Sequence, residues 1–108
     1  MTEAEAMIWT YAIELPVTLL AGWLWRCRWQ RGLVSGLLAS GLTHPLAWTL
    51  AQAWPAETFL QGFFIIEAGV VLVETVVLRF GMRLGWGQAF CLSLLANGLS
   101  AGAGWVLT

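Results

Sequence analysis

Four apolar runs, at about 7–25, 33–53, 58–78 and 86–107, alternate with short polar intervals. Each approaches the ~20 residues that a helix needs to cross about 30 Å of hydrocarbon at about 1.5 Å per residue. Of 108 residues, 59% are hydrophobic and 10% charged, whereas soluble domains carry about 25% charge. So little polar surface cannot cover a water-soluble globule. The length suits one domain. The composition also excludes a disordered chain, a disulfide scaffold and a nucleic-acid binder built on basic patches. The expected fold class is all-α, a polytopic membrane four-helix bundle whose first partner is the lipid bilayer.

Charge placement sets an orientation. Arg26, Arg28 and Arg31 fall between the first and second runs, and Arg79 and Arg83 between the third and fourth. Glu3, Glu5 and Glu57 fall on the arginine-free side, with the uncharged C-terminal Thr108. Basic residues in short loops stay cytoplasmic, so a bacterial inner-membrane protein with both termini outside is expected. The N-terminal MTEAEA lacks a basic n-region and a small-residue cleavage site, so the first run reads as a retained span. Trp9, Tyr11, Trp48, Trp54 and Trp105 are placed for an outer aromatic belt, and Trp23, Trp25, Trp29 and Trp86 for an inner one.

Two helical hairpins, about 7–53 and 58–107, repeat one pattern. Residues 11–26 over 64–79 match Ile13 with Ile66, Glu14 with Glu67, Val17 with Val70 and Arg26 with Arg79. Residues 37–48 over 94–105 pair Ser40 with Asn97, Thr43 with Ser100 and Trp48 with Trp105. This alignment makes the second hairpin's loop four residues longer. It predicts parallel hairpins related by an axis along the membrane normal. Small residues on the second and fourth spans (Gly36, Ser40, Thr43 and Ala47; Ser93, Asn97, Ser100 and Gly104) should let helices approach closely.

Glu14 and Glu67 each lie twelve residues before an arginine, about 18 Å along a helix. The alignment therefore places them at equal levels near the midplane. An ionisable group there costs about 2.5–3.5 kcal/mol on insertion and usually faces the bundle interior. A buried carboxyl without a cation favours its proton-bound form, and one poised near neutrality can load and release a proton. Glu14 and Glu67 are thus expected to bind a proton or cation, with Ser40 and Asn97 as neutral partners. Glu74, seven residues after Glu67, would relay inward. Packing offers the alternative: protonated glutamates holding the bundle through these same hydroxyls and Asn97.

His44, Thr43 and Ser100 form a candidate outer mouth. A lone histidine before Pro45 also fits a structural hydrogen bond or a pigment ligand. Pro16 beside Glu14, and Gly69 in the matched place, would loosen their helices. Cys27 and Cys91 have no metal or redox spacing, so no metal or other cofactor is expected. Nucleotide-binding and hydrolase motifs are absent from the sequence, and no enzyme activity is expected.

The first-span motif IELPVT, residues 13–18, in a short four-span chain resembles the small multidrug-resistance exporters. The resemblance covers that motif alone and implies proton-coupled exchange at Glu14. Glu67 and the strong arginine bias depart from the family pattern. Proton- or cation-linked transport of a small solute or ion is therefore the leading expectation. A non-catalytic accessory or assembly subunit is the competing one. Four short helices enclose little volume, so a homo-oligomer or a larger membrane complex is expected.

Overall fold

The structure, a computed structural model, describes residues 2–107, with side chains described over 2–103. It is all-helical: α1 Glu3–Leu24, α2 Trp29–Ala53, a short 3-10 turn Ala56–Thr58, α3 Phe59–Gly81 and α4 Trp86–Leu107. Among the described residues there is no strand. The helices form a four-membered ring in which α1 packs on α2 and α4, α3 packs on α2 and α4, and the backbones of the diagonal pairs do not approach closely. The start of α1, the end of α4 and the 54–58 linker share one end of the bundle, and the two hairpin turns share the other.

Local chemistry explains most of the boundaries. Thr2 caps α1 by accepting from the Glu5 amide at 3.2 Å, and Glu3 and Glu5 complement the dipole of the first turn. Pro55 separates α2 from the short turn before α3. The arginine loops are shorter than hydropathy suggests, because helix continues through Trp29–Gly32 and Arg79–Gly81. Arginine has a high helix propensity and suits a helix end as well as a loop, so apolarity stops before the helix does. Pro16 and Pro45 each remove one backbone donor, yet α1 and α2 remain continuous.

The two turns share one construction. Arg26 (φ 58°) and Arg83 (φ 57°) are the left-handed non-glycine residues among those described. Each lies two positions beyond a helix end, and the next helix starts three residues later at Trp29 or Trp86. Helix ends, turns and starts therefore recur 57 positions apart (24 to 81, 26 to 83, 29 to 86), with equal loops. This corrects the expected four-residue difference and the pairing of Arg26 with Arg79. At the same spacing, buried Thr18 donates to the Glu14 carbonyl at 2.9 Å, and buried Thr75 donates to the Val71 carbonyl at 2.6 Å. Glu14 thus corresponds to Val71, and Glu67 lies one turn nearer the termini. The expected equality of level between Glu14 and Glu67 is corrected accordingly.

An apolar cluster fills the turn end. Met82, Leu78, Leu84, Ala89 and Leu92 form a buried apolar plug, with Val17, Ala21 and Cys27 against it. The Met82 methyl would lie 3.2 Å from a Cβ added to Gly22 and 3.7 Å from one added to Gly32, so these glycines make its seat. A Cβ on Gly81 would collide with Ser35, which sets the close approach of α2 and α3. Arg31 donates to the Gly81 carbonyl at 3.1 Å, a favourable cation at a helix C-terminus.

Above the plug the bundle is polar inside and apolar outside. Glu14 (5% exposed) and Glu74 (3%) are buried with Thr18, Ser35, Ser40, Thr43, Thr75, Ser93 and Asn97, while Phe64 (66%) and Leu72 (62%) lie open. Tryptophans 9, 23, 25, 29 and 86 are exposed, but Trp48 and Trp54 are half-buried and line the interior. Tyr11 reaches across to donate to the Leu37 carbonyl at 3.0 Å. Trp105 and Gly104 lie outside the residues with described side chains, and Thr108 outside the described residues. Among the described residues one helix, α1, is by itself long and apolar enough to be a candidate membrane span.

Candidate functional site

Helical spacing assembles the site. Thr10, Glu14 and Thr18 recur every four residues on α1, and Ser93, Asn97 and Ser100 every three or four on α4. Such residues share a face. Ser40 and Thr43 do the same on α2, and Glu67 and Glu74, two turns apart, on α3. The four stripes converge on the bundle axis.

Glu74 holds the centre. Its Oε1 accepts from Asn97 Nδ2 at 2.8 Å, and its Oε2 lies 2.6 Å from Thr43 Oγ1. One carboxyl therefore links α2, α3 and α4. The second Asn97 N–H goes to the Ser93 carbonyl at 2.8 Å, and the Ser93 hydroxyl donates to the Val71 carbonyl at 3.0 Å. Glu14 accepts from Ser40 at 3.0 Å, and Ser100 lines the cavity with it.

A count of hydrogens gives this network its chemistry. Thr43 owns one hydroxyl proton, yet two acceptors lie within reach, the Ala39 carbonyl at 2.8 Å and Glu74 at 2.6 Å. With a proton on Glu74 Oε2, the acid donates to Thr43 and Thr43 donates to Ala39, so every group is paired. When that proton leaves, the hydroxyl can turn and donate to the carboxylate instead.

Glu67 does not join the network directly. It is half-buried and lines a cavity of about 440 Å³ together with Glu14, Glu74, Thr43, Asn97 and Ser100. Ala6, Ala51, Trp54 and Phe59 place the mouth of this cavity at the terminal end of the bundle. His44 lines it too, its ring stacked 6.2 Å from that of Trp48, with a buried Nδ1 that makes no hydrogen bond. The apolar plug closes the opposite end.

The structure thus brings Glu14 to Ser40, and Glu74 to Thr43 and Asn97, while His44 and Ser100 line the same cavity from α2 and α4. Side-chain direction explains why Glu74 rather than Glu67 meets Thr43 and Asn97. Cα–Cβ bonds tilt toward the helix N-terminus, so side chains lean toward the cavity mouth on α1 and α3 and toward the turns on α2 and α4. A carboxyl on α3 accordingly meets partners whose Cα atoms lie farther out, and Glu67 leans past them. Thr10, Phe59 and Phe63 line the cavity without having stood out in the sequence, and Trp54, expected in the outer aromatic belt, lines it too. The four-residue spacing from Thr10 to Glu14 was the available signal. Among the described residues no group of His, Cys, Asp or Glu could hold a metal ion.

No family model matches the chain, and no curated protein or solved structure is significantly similar to it.

Proposed function

We propose that the chain is an integral inner-membrane protein that moves a proton or cation, linked to a small solute, through the carboxyl-lined cavity. In this reading all four helices cross the bilayer as two parallel hairpins, with both termini outside and the arginine turns inside. The carrying observation is that Glu14, Glu67 and Glu74 line one cavity whose described wall holds no basic side chain other than His44.

The membrane assignment draws support from the reversed distribution of polarity. Large side chains such as Phe64, Leu72 and Phe80 lie open around the bundle, and in water each would forgo about 1.5–3 kcal/mol of burial. Hydrocarbon removes that penalty. Helix-averaged hydropathy understates this for α2 and α4, because Gly32, Ser35, Gly36, Ser40 and Thr43 of α2 and Ser93 and Asn97 of α4 are buried inside the bundle. The five-to-zero arginine split between the two ends supports the orientation, and the constant 57-residue recurrence of helix ends and turns supports parallel hairpins.

In mechanism, Glu14 and Glu74 load from the outer end, and the Thr43 hydroxyl turns as Glu74 gains or loses its proton. Glu67 meets the cation first. Release inward requires the Met82 plug to leave its seat between Gly22 and Gly32. An unbranched thioether, with its flexible stem, suits a side chain that must repack.

Flux in proteoliposomes under an imposed pH or cation gradient tests this. Wild type conducts or exchanges, Glu14→Gln and Glu74→Gln abolish flux, and Glu67→Gln weakens it. Unchanged flux in the Glu14 and Glu74 variants of a transporting protein overturns the site. A protein that purifies only in fixed stoichiometry with a larger complex, and is silent alone, supports the accessory role instead.

A further inference from the structure

We infer that an anionic phospholipid of the inner leaflet binds in a hollow beside the α1–α2 turn, with its phosphodiester on Arg28. This rests on the reading of the chain as an inner-membrane protein with its arginine turns inside.

The hollow, of about 430 Å³, is lined by Leu19, Trp23, Cys27, Arg28, Trp29 and Gln30. Trp23 is 72% exposed and Trp29 64%, so both present broad ring surface to whatever surrounds the bundle. The lining changes character in one direction. Arg28 and Gln30 stand at the turn, and Leu19 lies on α1 one helical turn farther from it than Trp23. The hollow thus passes from a cation through an amphipathic rim to an apolar wall, at the level where tryptophan settles in a bilayer. A phospholipid makes the same passage, from phosphate through glycerol esters to acyl chain.

The two hairpins differ at this point. At the recurrence of 57 positions, Trp23 and Trp29 correspond to Phe80 and Trp86, and Gly22 to Arg79. In the second hairpin the two rings meet edge to face with centroids 5.8 Å apart, and the Arg79 guanidinium lies 5.4 Å from one centroid and 5.5 Å from the other. Rings and arginine there satisfy one another within the chain. The first hairpin has Gly22 at that position, where an added Cβ would lie 3.2 Å from the Met82 methyl. Its tryptophans border the hollow instead, and the arginine on the wall comes from the turn.

Charge selects the occupant. All five arginines of the chain lie at this end, and the sequence has no acidic residue between Glu14 and Glu57 or after Glu74. Arg31 is engaged with the Gly81 carbonyl and Arg79 with its two rings, whereas Arg28 is exposed on the hollow. A basic pocket on the cytoplasmic side suits an anionic head better than a zwitterionic one.

The test is native mass spectrometry of the full-length protein, released from detergent micelles after titration with phosphatidylglycerol, phosphatidylethanolamine or the soluble head group glycerophosphoglycerol. Wild type should retain phosphatidylglycerol more tightly than phosphatidylethanolamine, and the soluble head group weakly. Arg28→Gln should lose at least about tenfold in affinity for phosphatidylglycerol, the share of one charge-assisted hydrogen bond, and Trp23→Leu should weaken it as well. Arg83→Gln removes the same charge from the other turn and should change little.

Equal losses in Arg28→Gln and Arg83→Gln, or equal retention of the two lipids, overturn the site and leave the membrane reading standing. Glycerophosphoglycerol held as tightly as the lipid marks a site for free phosphodiesters and overturns the lipid occupant. A chain that stays monodisperse in water without detergent overturns the membrane reading and the lipid site with it. Arg28 and Arg83 are both exposed, so their comparison decides even if Trp23→Leu does not fold.

Discussion

Replacing Glu74 in two ways separates hydrogen bonding from charge. Glutamine keeps the shape and can reproduce the paired arrangement: its carbonyl accepts from Asn97, and its amide donates to Thr43, which keeps its bond to Ala39. Leucine removes both side-chain bonds, at 2.8 and 2.6 Å, and strands one N–H of Asn97. Interhelical hydrogen bonds within membrane bundles are worth about 0.6 kcal/mol on average and about 1.7 at most, so two of them total about 1–3 kcal/mol. Glu74→Leu should therefore cost about 1–3 kcal/mol and Glu74→Gln less than about 0.5 kcal/mol. Reversible unfolding in mixed micelles, followed by circular dichroism, measures both. Equal destabilisation by Gln and Leu would refute the reasoning, because it would mean that the site needs the carboxylate itself and not a donor facing Thr43.

Other substitutions test the packing. Gly81→Ala should destabilise by about 1–3 kcal/mol, because its methyl meets Ser35. By contrast, Gly69→Ala, in open space, should be neutral or stabilising by up to about 1 kcal/mol; thermal unfolding of the pair gives both signs. Met82→Ala empties the plug and should cost about 2–5 kcal/mol, with increased inward leak of small ions in proteoliposomes. Arg83→Gly relieves a left-handed conformation that costs an L-residue roughly 1–2 kcal/mol. It should raise the unfolding midpoint even after the added freedom of the unfolded chain is subtracted.

Hydropathy alone located the four helices to within a few residues, because a helix's existence follows from a long apolar run. Its ends were less legible: Thr2 capping extends α1, and arginines extend α2 and α3 beyond the apolar limit. The interior polar set was legible as well, since Glu14, Ser40, Thr43, Glu74 and Asn97 stand out against apolar neighbours. Their pairing was not. Identical residues drew Glu14 onto Glu67 in the alignment, whereas the turns fix the recurrence at 57 positions and place Glu14 opposite Val71. The tilt of the Cα–Cβ bonds then brings Glu74 to Thr43 and Asn97 and leaves Glu67 to the cavity mouth. Gly98 and Gly102 illustrate the same limit. Small residues one turn apart suggest close packing, yet both of these are exposed, with no atom within 4 Å of an added Cβ.

The central claim is that the interior of this bundle is reached by water-borne reagents while its outside is immersed in hydrocarbon. Cysteine accessibility in a bilayer tests it, after Cys27 and Cys91 are replaced by alanine. A charged thiol reagent added from the terminal side should modify Ala47→Cys and Ala101→Cys on the cavity wall, and spare Leu42→Cys, Leu46→Cys and Val73→Cys on the outer faces. Ready modification of the outer-face cysteines, with the wall cysteines protected, would contradict the account.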